Sequence, residues 1–391
     1  MIKYMRSGDA VETTSPLCFF ILEGEFLMTH HSKFRLVFSL CLALIMALST
    51  VPVLTADAKP AGTTRFEAVS FYVTDSKEKN MATIQKYIDQ GGANDVDLML
   101  FPELSTCGLP EGISMNTVDE NAKAFFPKNA EPVPGGPTCD TMIANAKKYN
   151  MYLCWSMLEQ DPYDSSKVYN TAVLVGPEGF IGKYRKVHLA GTESYMEEAG
   201  TEYSKVFDTK LGKIALVICF DKTYPDTVRQ AKIDGADIVL APSSWPGLDK
   251  RLSNLDPSMQ LYRWSGKARN VENGVVFVET NWASGKDDTT NAEAGHARIS
   301  DATGKTYGET GWEEGTVTAD IDVQKSIDEY YKNLGMTRDE HIAYLKEKQD
   351  QHKKTSDTAG VVETNIKFYG SAIGNTILDL GDALRFGALG K

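Results

Sequence analysis

YNTAVLVGPEGFIGKYRKVHL, residues 169–189, holds two β-rich runs around the turn Gly176-Pro177-Glu178-Gly179, and it reads as a hairpin. Its surroundings read differently. RFEAVSFYV (65–73), VDLMLFPE (96–103), MYLCWSMLE (151–159), KIALVICF (213–220), ADIVLAPSSWP (236–246, strand then loop) and VVFVETN (275–281) have the character of strands. Several are nearly continuous apolar runs, as expected for strands covered on both faces. Helices are expected between them. SKEKNMATIQKYIDQGG (76–92) starts on a Ser cap and ends in Gly-Gly. Residues 136–150, Pro225 to Asp234 and 258–274 are also helical in pattern. GHARISDATGKTYGE (295–309) is a further hairpin. Alternating strands and helices build a parallel sheet, whereas hairpins add antiparallel neighbours. The expectation is therefore layered α/β with mixed sheets, in one domain over about residues 60–320, with no internal repeat visible.

The bulk composition narrows the function. The chain has 391 residues, with 42% hydrophobic and 24% charged, an ordinary globular balance. Lys plus Arg is 41 against 53 for Asp plus Glu, a formal net charge of −12. A nucleic-acid binder needs a basic face, and an anionic membrane surface attracts one, so neither partner is expected. The histidines (30, 31, 188, 296, 341, 352) have no metal-ligand spacing and there is no CxxC. No metal or cofactor is expected.

The ends stand apart from this domain. Residues 28–58 contain Lys33 and Arg35, an apolar stretch from Leu36 to Leu48, and then Ala56-Asp57-Ala58. That is the layout of a secretory signal cleaved after Ala58, with Met28 as a cleaner start than Met1. The stretch is short for a membrane span, so no stable insertion is expected after cleavage. Residues 1–58 are read as extension and leader, and the protein as exported, periplasmic or secreted. Residues 321–391 form a C-terminal extension, highly charged and helical over 327–354, then less polar. It is expected to pack on the domain or at an oligomer interface. The chain left after cleavage holds Cys107, Cys139, Cys154 and Cys219. Exported cysteines often pair, but a reactive Cys219 leaves room for at most one disulfide.

Three reactive residues follow strands at the end where α/β sheets gather ligands. They are Glu103 after VDLMLFPE, Lys186 after FIGKYRK and Cys219 within KIALVICF. Each has a plainer reading alone: a loop carboxylate, a solvated basic run, a small core hydrophobe. Together they supply what thiol acyl transfer needs. A free thiol near pKa ~8.5 is mostly protonated at neutral pH. A carboxylate can take its proton and return it to the leaving amine. A lysine can stabilise the oxyanion.

These segments resemble the nitrilase superfamily of carbon–nitrogen hydrolases. LMLFPELSTCG (98–108), GKYRKVHL (182–189) and LVICFDKTYPD (216–226) are similar to its Glu, Lys and Cys segments. The 169–185 hairpin, KARNVENGVVFVETN (267–281) and GHARISDATGK (295–305) follow in the expected order. The likeness covers about residues 64–320. It implies a four-layer α-β-β-α sandwich with mixed sheets, plus here the C-terminal helical extension. It implies Cys219 as nucleophile on a small-molecule amide, Glu103 as base then acid, and Lys186 with the Phe220 backbone N–H as oxyanion donors. Glu193 best fits a second, positioning glutamate, with Glu197 and Glu198 as rivals. The family's nitrile hydrolases carry Trp-Glu after the nucleophile, whereas Phe220-Asp221 resembles the amidase, carbamoylase and pantetheinase-like branches. Trp245 in SSWP is either pocket lining or a packing anchor. His188 is read as structural. Homodimers or larger assemblies are expected. Acyl transfer to an amine, nitrile hydrolysis on the same residues, and a silent binding protein on this fold remain the competing readings. The acyl group and the leaving amine are not legible.

Overall fold

The computed structural model describes residues 58–357 except 111–112, 114–117 and 286–293. The chain divides into two units, Met1–Ala58 and Lys59–Lys391. The expected leader and the tail beyond residue 357 lie outside the described residues. Among the described residues, no helix is long and apolar enough to cross a membrane.

The second unit runs β1 (Thr64–Ser70), α1 (Lys77–Ala93), β2 (Leu98–Leu100), α2 (Glu120–Asn129), α3 (Pro137–Tyr149), β3 (Tyr152–Gln160), β4 (Val168–Gly176) and β5 (Gly179–Arg185). It continues with β6 (Val206–Thr209), β7 (Gly212–Leu216), α4 (Pro225–Ile233), β8 (Ile238–Pro242), α5 (Pro257–Asn273), β9 (Val276–Thr280), β10 (Arg298–Ser300), β11 (Thr306–Glu309) and β12 (Gly315–Ile321). Two helices, α6 (Val323–Leu334) and α7 (Arg338–Asp357), close the described chain. Local chemistry fixes many boundaries. Asp256 caps α5 by accepting from the Ser258 and Met259 N–H groups, with Pro257 in the first turn. Gly274 ends that helix at φ +57°. Ser76 caps α1 as the sequence implies.

Two six-stranded mixed sheets result, in the orders β12-β1-β2-β3-β4-β5 and β11-β10-β9-β8-β7-β6. Strand alternation builds the layers. Phe66, Ala68, Leu98, Leu100 and Leu174 of one sheet meet Ile214, Leu216, Ile238, Leu240 and Val278 of the other in a central core. The intervening Val69, Met99, Leu153 and Val173 face outward against Ile84 and Ile88 of α1 and Met142 and Ala146 of α3. Ala215, Val217 and Val239 face Val228 and Ala231 of α4 on the far side. The architecture is thus helix, sheet, sheet, helix, and buried apolar side chains at roughly 1.5–3 kcal/mol each hold the layers together.

The structure also differs from the reading of the sequence. The strand expected over 213–220 stops at Leu216, because the chain turns before Cys219. Strand β12 was not anticipated; its seven residues pair antiparallel with β1, Thr64 opposite Ile321. The C-terminal helices pack beside α4, one of the two placements open to them from the sequence. Arg338 donates to the Gly235 carbonyl at 2.7 Å and pairs with Asp237 at 2.8 Å.

Candidate active site

The first side chain enters from β2. Three residues beyond the strand, Glu103 is 1% exposed, and Leu104 after it sits at φ +46°. A positive φ is costly for a branched residue and aims the preceding side chain inward. The turn is pinned by Ser156 Oγ, which accepts from the Leu104 N–H at 3.0 Å, and by the Trp282 indole N–H, which donates to the Glu103 carbonyl. The Glu103 carboxylate is fully engaged. Oε1 accepts from Lys186 Nζ at 2.8 Å and from Asn170 Nδ2 at 2.7 Å. Oε2 accepts from the Ser244 N–H at 2.7 Å.

Lys186 follows β5 directly and is fully buried. Burial works against its charge, but Glu103 and Glu193 outweigh that and hold its pKa well above the ordinary lysine value. The ammonium also reaches Glu193 Oε1 at 2.7 Å. Glu193 Oε2 accepts from the Ala190 N–H at 2.7 Å, so this carboxylate is held from both sides. The loop closes where the Gly200 N–H donates to the Lys186 carbonyl at 2.7 Å. A Cβ at Gly200 would stand 2.4 Å from the Arg185 carbonyl oxygen, so only glycine fits. Of the rival glutamates, Glu198 is exposed, whereas Glu197 is buried within the field of Lys186, Glu193 and Glu103.

Cys219 opens a single 3-10 turn, Cys219–Thr223, at φ +49° and is 4% exposed. Burial and the Glu103 charge push its thiol pKa well up, against the pull of Lys186. The resting sulfur is a thiol. Asp221 fixes the turn. Its buried carboxylate accepts from the Ile218 N–H, the His188 N–H and the Tyr184 hydroxyl, each at 2.9 Å, and lies 2.9 Å from His188 Nδ1. His188 stacks on Tyr224 at 3.8 Å between ring centroids.

Glu103, Lys186 and Cys219 are therefore buried together at the ends of β2, β5 and β7, with the partly exposed Glu193 reaching them through Lys186. Trp245 lies nearby, 6% exposed, its ring 5.9 Å from both Phe220 and Tyr262 and its indole N–H on Ser258 Oγ at 2.9 Å. Below them a buried Glu279 accepts from Lys222 at 2.7 Å and from Arg298. Asn170, Ser244 and Glu279 were not singled out from the sequence, and Asp221 was noted only as a branch marker, not as the anchor of the turn. Asn170 carried a signal, a lone amide opening an apolar strand. The Ser244 contact uses backbone, which sequence does not reveal. The four described cysteines are free, so no disulfide joins them. Burial raises the Cys107 thiol to about 12 and the Cys139 thiol to about 11, which leaves both inert at neutral pH.

Residues 67–329, more than half of the chain, match the carbon-nitrogen hydrolase family. The chain belongs to that family. This carbon–nitrogen hydrolase is similar to a nitrilase from Pyrococcus abyssi, 32% identical over 203 residues that cover 51% of this chain and 73% of the relative. It is also similar to an omega-amidase from Xenopus laevis, 26% identical over 270 residues covering 66% and 89%. A Saccharomyces cerevisiae member of branch 10 of the nitrilase superfamily superposes with a TM-score of 0.59 at 22% identity, covering 72% of this chain and 98% of that one. An amidase from Nesterenkonia sp. AN1, bearing the acetamide moiety of fluoroacetamide on its active-site cysteine, superposes with a TM-score of 0.54 at 20% identity over 71% and 98%. These neighbours share the α-β-β-α sandwich. Membership assigns the hydrolase the cleavage of carbon–nitrogen bonds.

Proposed function

We propose that this hydrolase is an exported amidase that cleaves a non-peptide amide through a cysteine thioester. The observation that carries the reading is Glu103, whose carboxylate takes the buried Lys186 ammonium at 2.8 Å and whose charge acts on the buried Cys219 thiol. Cys219 Sγ attacks the carbonyl carbon and the carbonyl electrons move onto oxygen. Because the resting sulfur is a thiol, its proton passes to Glu103 during the attack. Lys186 and the Phe220 N–H receive the oxyanion. Glu103 then gives the proton to nitrogen, the carbon–nitrogen bond breaks, and ammonia or an amine leaves. Water next gives a proton to Glu103 and attacks the thioester, and the thiol departs reprotonated with release of the acid. Glu193, locked between Lys186 and Ala190, positions substrate and water. Trp245 supports the wall beside Phe220.

An amide fits better than a nitrile. Phe220-Asp221 stands where nitrile hydrolases of the family carry Trp-Glu, and Asp221 is consumed by turn contacts. The relative named omega-amidase and the Nesterenkonia amidase support the same choice. Export rests on residues 28–58, and its check is the N-terminal sequence of protein recovered outside the cytoplasm, expected to begin at Lys59. Homo-oligomers also belong to this proposal. Helix α5 exposes Leu261, Trp264 (63% exposed) and Val271 along one side, an apolar stripe suited to a second copy. The activity is tested by release of ammonia from simple primary amides, N-carbamoyl compounds and nitriles, and of cysteamine from pantetheine. Release from an amide class, lost in Cys219→Ala and reduced about 10²–10⁴-fold in Glu103→Gln, is the expected outcome. Release that survives Cys219→Ala would falsify the reading.

A further inference from the structure

Glu197 is a buried carboxyl with an oxygen that the fold leaves unsatisfied. It is 6% exposed, and its Oε2 has no hydrogen-bond partner. Its backbone N–H donates to the Glu193 carbonyl at 2.9 Å, which closes the chain on itself just after the 3-10 turn Glu193–Tyr195 and keeps the two residues close. Both lie in the field of Lys186, and Glu197 also feels Glu103. An unpaired buried carboxyl costs free energy that a purely structural site would avoid.

The charges around it are unbalanced. Lys186 is already divided between Glu103 at 2.8 Å and Glu193 at 2.7 Å. The next buried cation, Lys222, is held with Arg298 on Glu279. Lys183 and Arg185 are bound to Glu159 at 2.6 Å and 2.5 Å. Glu197 is thus a third carboxyl beside one lysine. Among the described residues no three His, Cys, Asp or Glu side chains are arranged to hold a metal ion, so an organic cation is the fitting counterpart.

Building on the amidase reading of the site, we infer that the substrate is an amide whose acyl part carries an ammonium or guanidinium group, and that Glu197 receives this cation. In the free enzyme Glu197 is protonated, because burial and the charges of Glu193 and Glu103 push its pKa well up against the pull of Lys186. The cation converts the carboxylic acid into a carboxylate–ammonium pair, and one proton leaves to solvent. An amide with a carboxylate tail finds three carboxyls there and is rejected.

The test separates recognition from turnover. Binding is measured by calorimetry on Cys219→Ala protein, using ω-amino amides of three to five carbons, their uncharged alkyl isosteres and their ω-carboxy counterparts. The expected result is binding of an amino amide at least about tenfold tighter than its isostere. It is accompanied by release of close to one proton, read from the dependence of the heat on the buffer's ionisation enthalpy. Adding Glu197→Gln is expected to remove both the preference and the proton release. Equal binding of charged and uncharged amides, or a preference that survives Glu197→Gln, overturns the inference. The wild-type preference and proton count need no folded variant at Glu197. Turnover of neutral amides without selective binding keeps the amidase reading and overturns this one. Selective binding without turnover by the wild type does the reverse.

Discussion

At the residue scale, Asp221 gathers donors from strand β5, from the loop after it and from its own turn. Ile218, His188 and Tyr184 all bring hydrogens to one buried carboxylate. That arrangement holds Cys219 at φ +49°, a conformation that a side chain other than glycine adopts only under constraint. Asp221→Asn keeps the shape but turns an amide NH₂ toward some of those donors. Hydrogen bonds to buried charges are worth about 1.5–3 kcal/mol each, so the variant is expected to lose about 2–4 kcal/mol of stability. Its kcat is expected to fall about 10–100-fold with little change in KM, since a misplaced nucleophile affects the chemical step and not binding. Denaturant unfolding and amide kinetics on one preparation check both. Unchanged kcat in a folded variant would remove Asp221 from the positioning of the nucleophile. Glu103, Lys186 and Cys219 stand out in sequence because each comes at the end of a strand, in a segment that resembles the family's. Their neighbour Asn170 does not, and Asp221 stands out only as a branch marker, since nothing local says that either converges on the site.

At the element scale, strand ends and added helices are where the sequence misleads. KIALVICF is apolar from Ile214 through Phe220, yet the strand stops at Leu216, because Asp221, anchored at long range by Tyr184 and His188, takes the Ile218 N–H and bends the chain. Strand β12 was hidden by its mixed composition and is defined by pairing with β1, across most of the domain's length. The packing of the C-terminal helices beside α4 carries a testable cost. Lys232 on α4 is buried, with Nζ on the Gly274 carbonyl at 3.1 Å and above the Tyr331 ring at 5.3 Å. Burial, aided by the Arg338 charge and opposed by Asp237, lowers its pKa to about 7. The folded state therefore holds fewer protons than the unfolded chain between pH 7 and the ordinary lysine value of 10.5. Stability is expected to rise with pH across that window, by up to about 1.4 kcal/mol per unit, and the full cost stands below pH 7. Lys232→Met removes the titration. Urea unfolding from pH 7.5 to 9.5 is expected to show a rise for the wild type that the variant lacks, with the variant more stable at pH 7.5. A rise of equal slope in both proteins would assign it to other groups.

At the scale of the whole molecule, the two sheets repeat one plan. Read from β12 to β5 and from β6 to β11, neighbours pair in the same succession: antiparallel, parallel, parallel, antiparallel, antiparallel. Helices α1 and α4 occupy matching places after β1 and β7. The sequence shows no such repeat, because each half keeps only the apolar alternation that the layers require. Layering and mixed sheets were legible from hairpins set among βα units, whereas this correspondence appears only in the pairing. The exposed α5 stripe belongs to this scale as well. Trp264→Asp places a charge in the middle of it, and sedimentation at micromolar concentration is expected to give a smaller mass than the wild type. A wild type that is already monomeric, or an unaltered mass in the variant, counts against assembly through α5.

The central claim is that Cys219 becomes covalently acylated during turnover. Wild-type enzyme turning over a saturating amide is quenched in acid, and its peptides are weighed. The account predicts the acyl mass on the peptide carrying Cys219, and none on those carrying Cys107, Cys139 or Cys154. Steady release of ammonia with no acyl group on Cys219, or with it on another cysteine, contradicts the account.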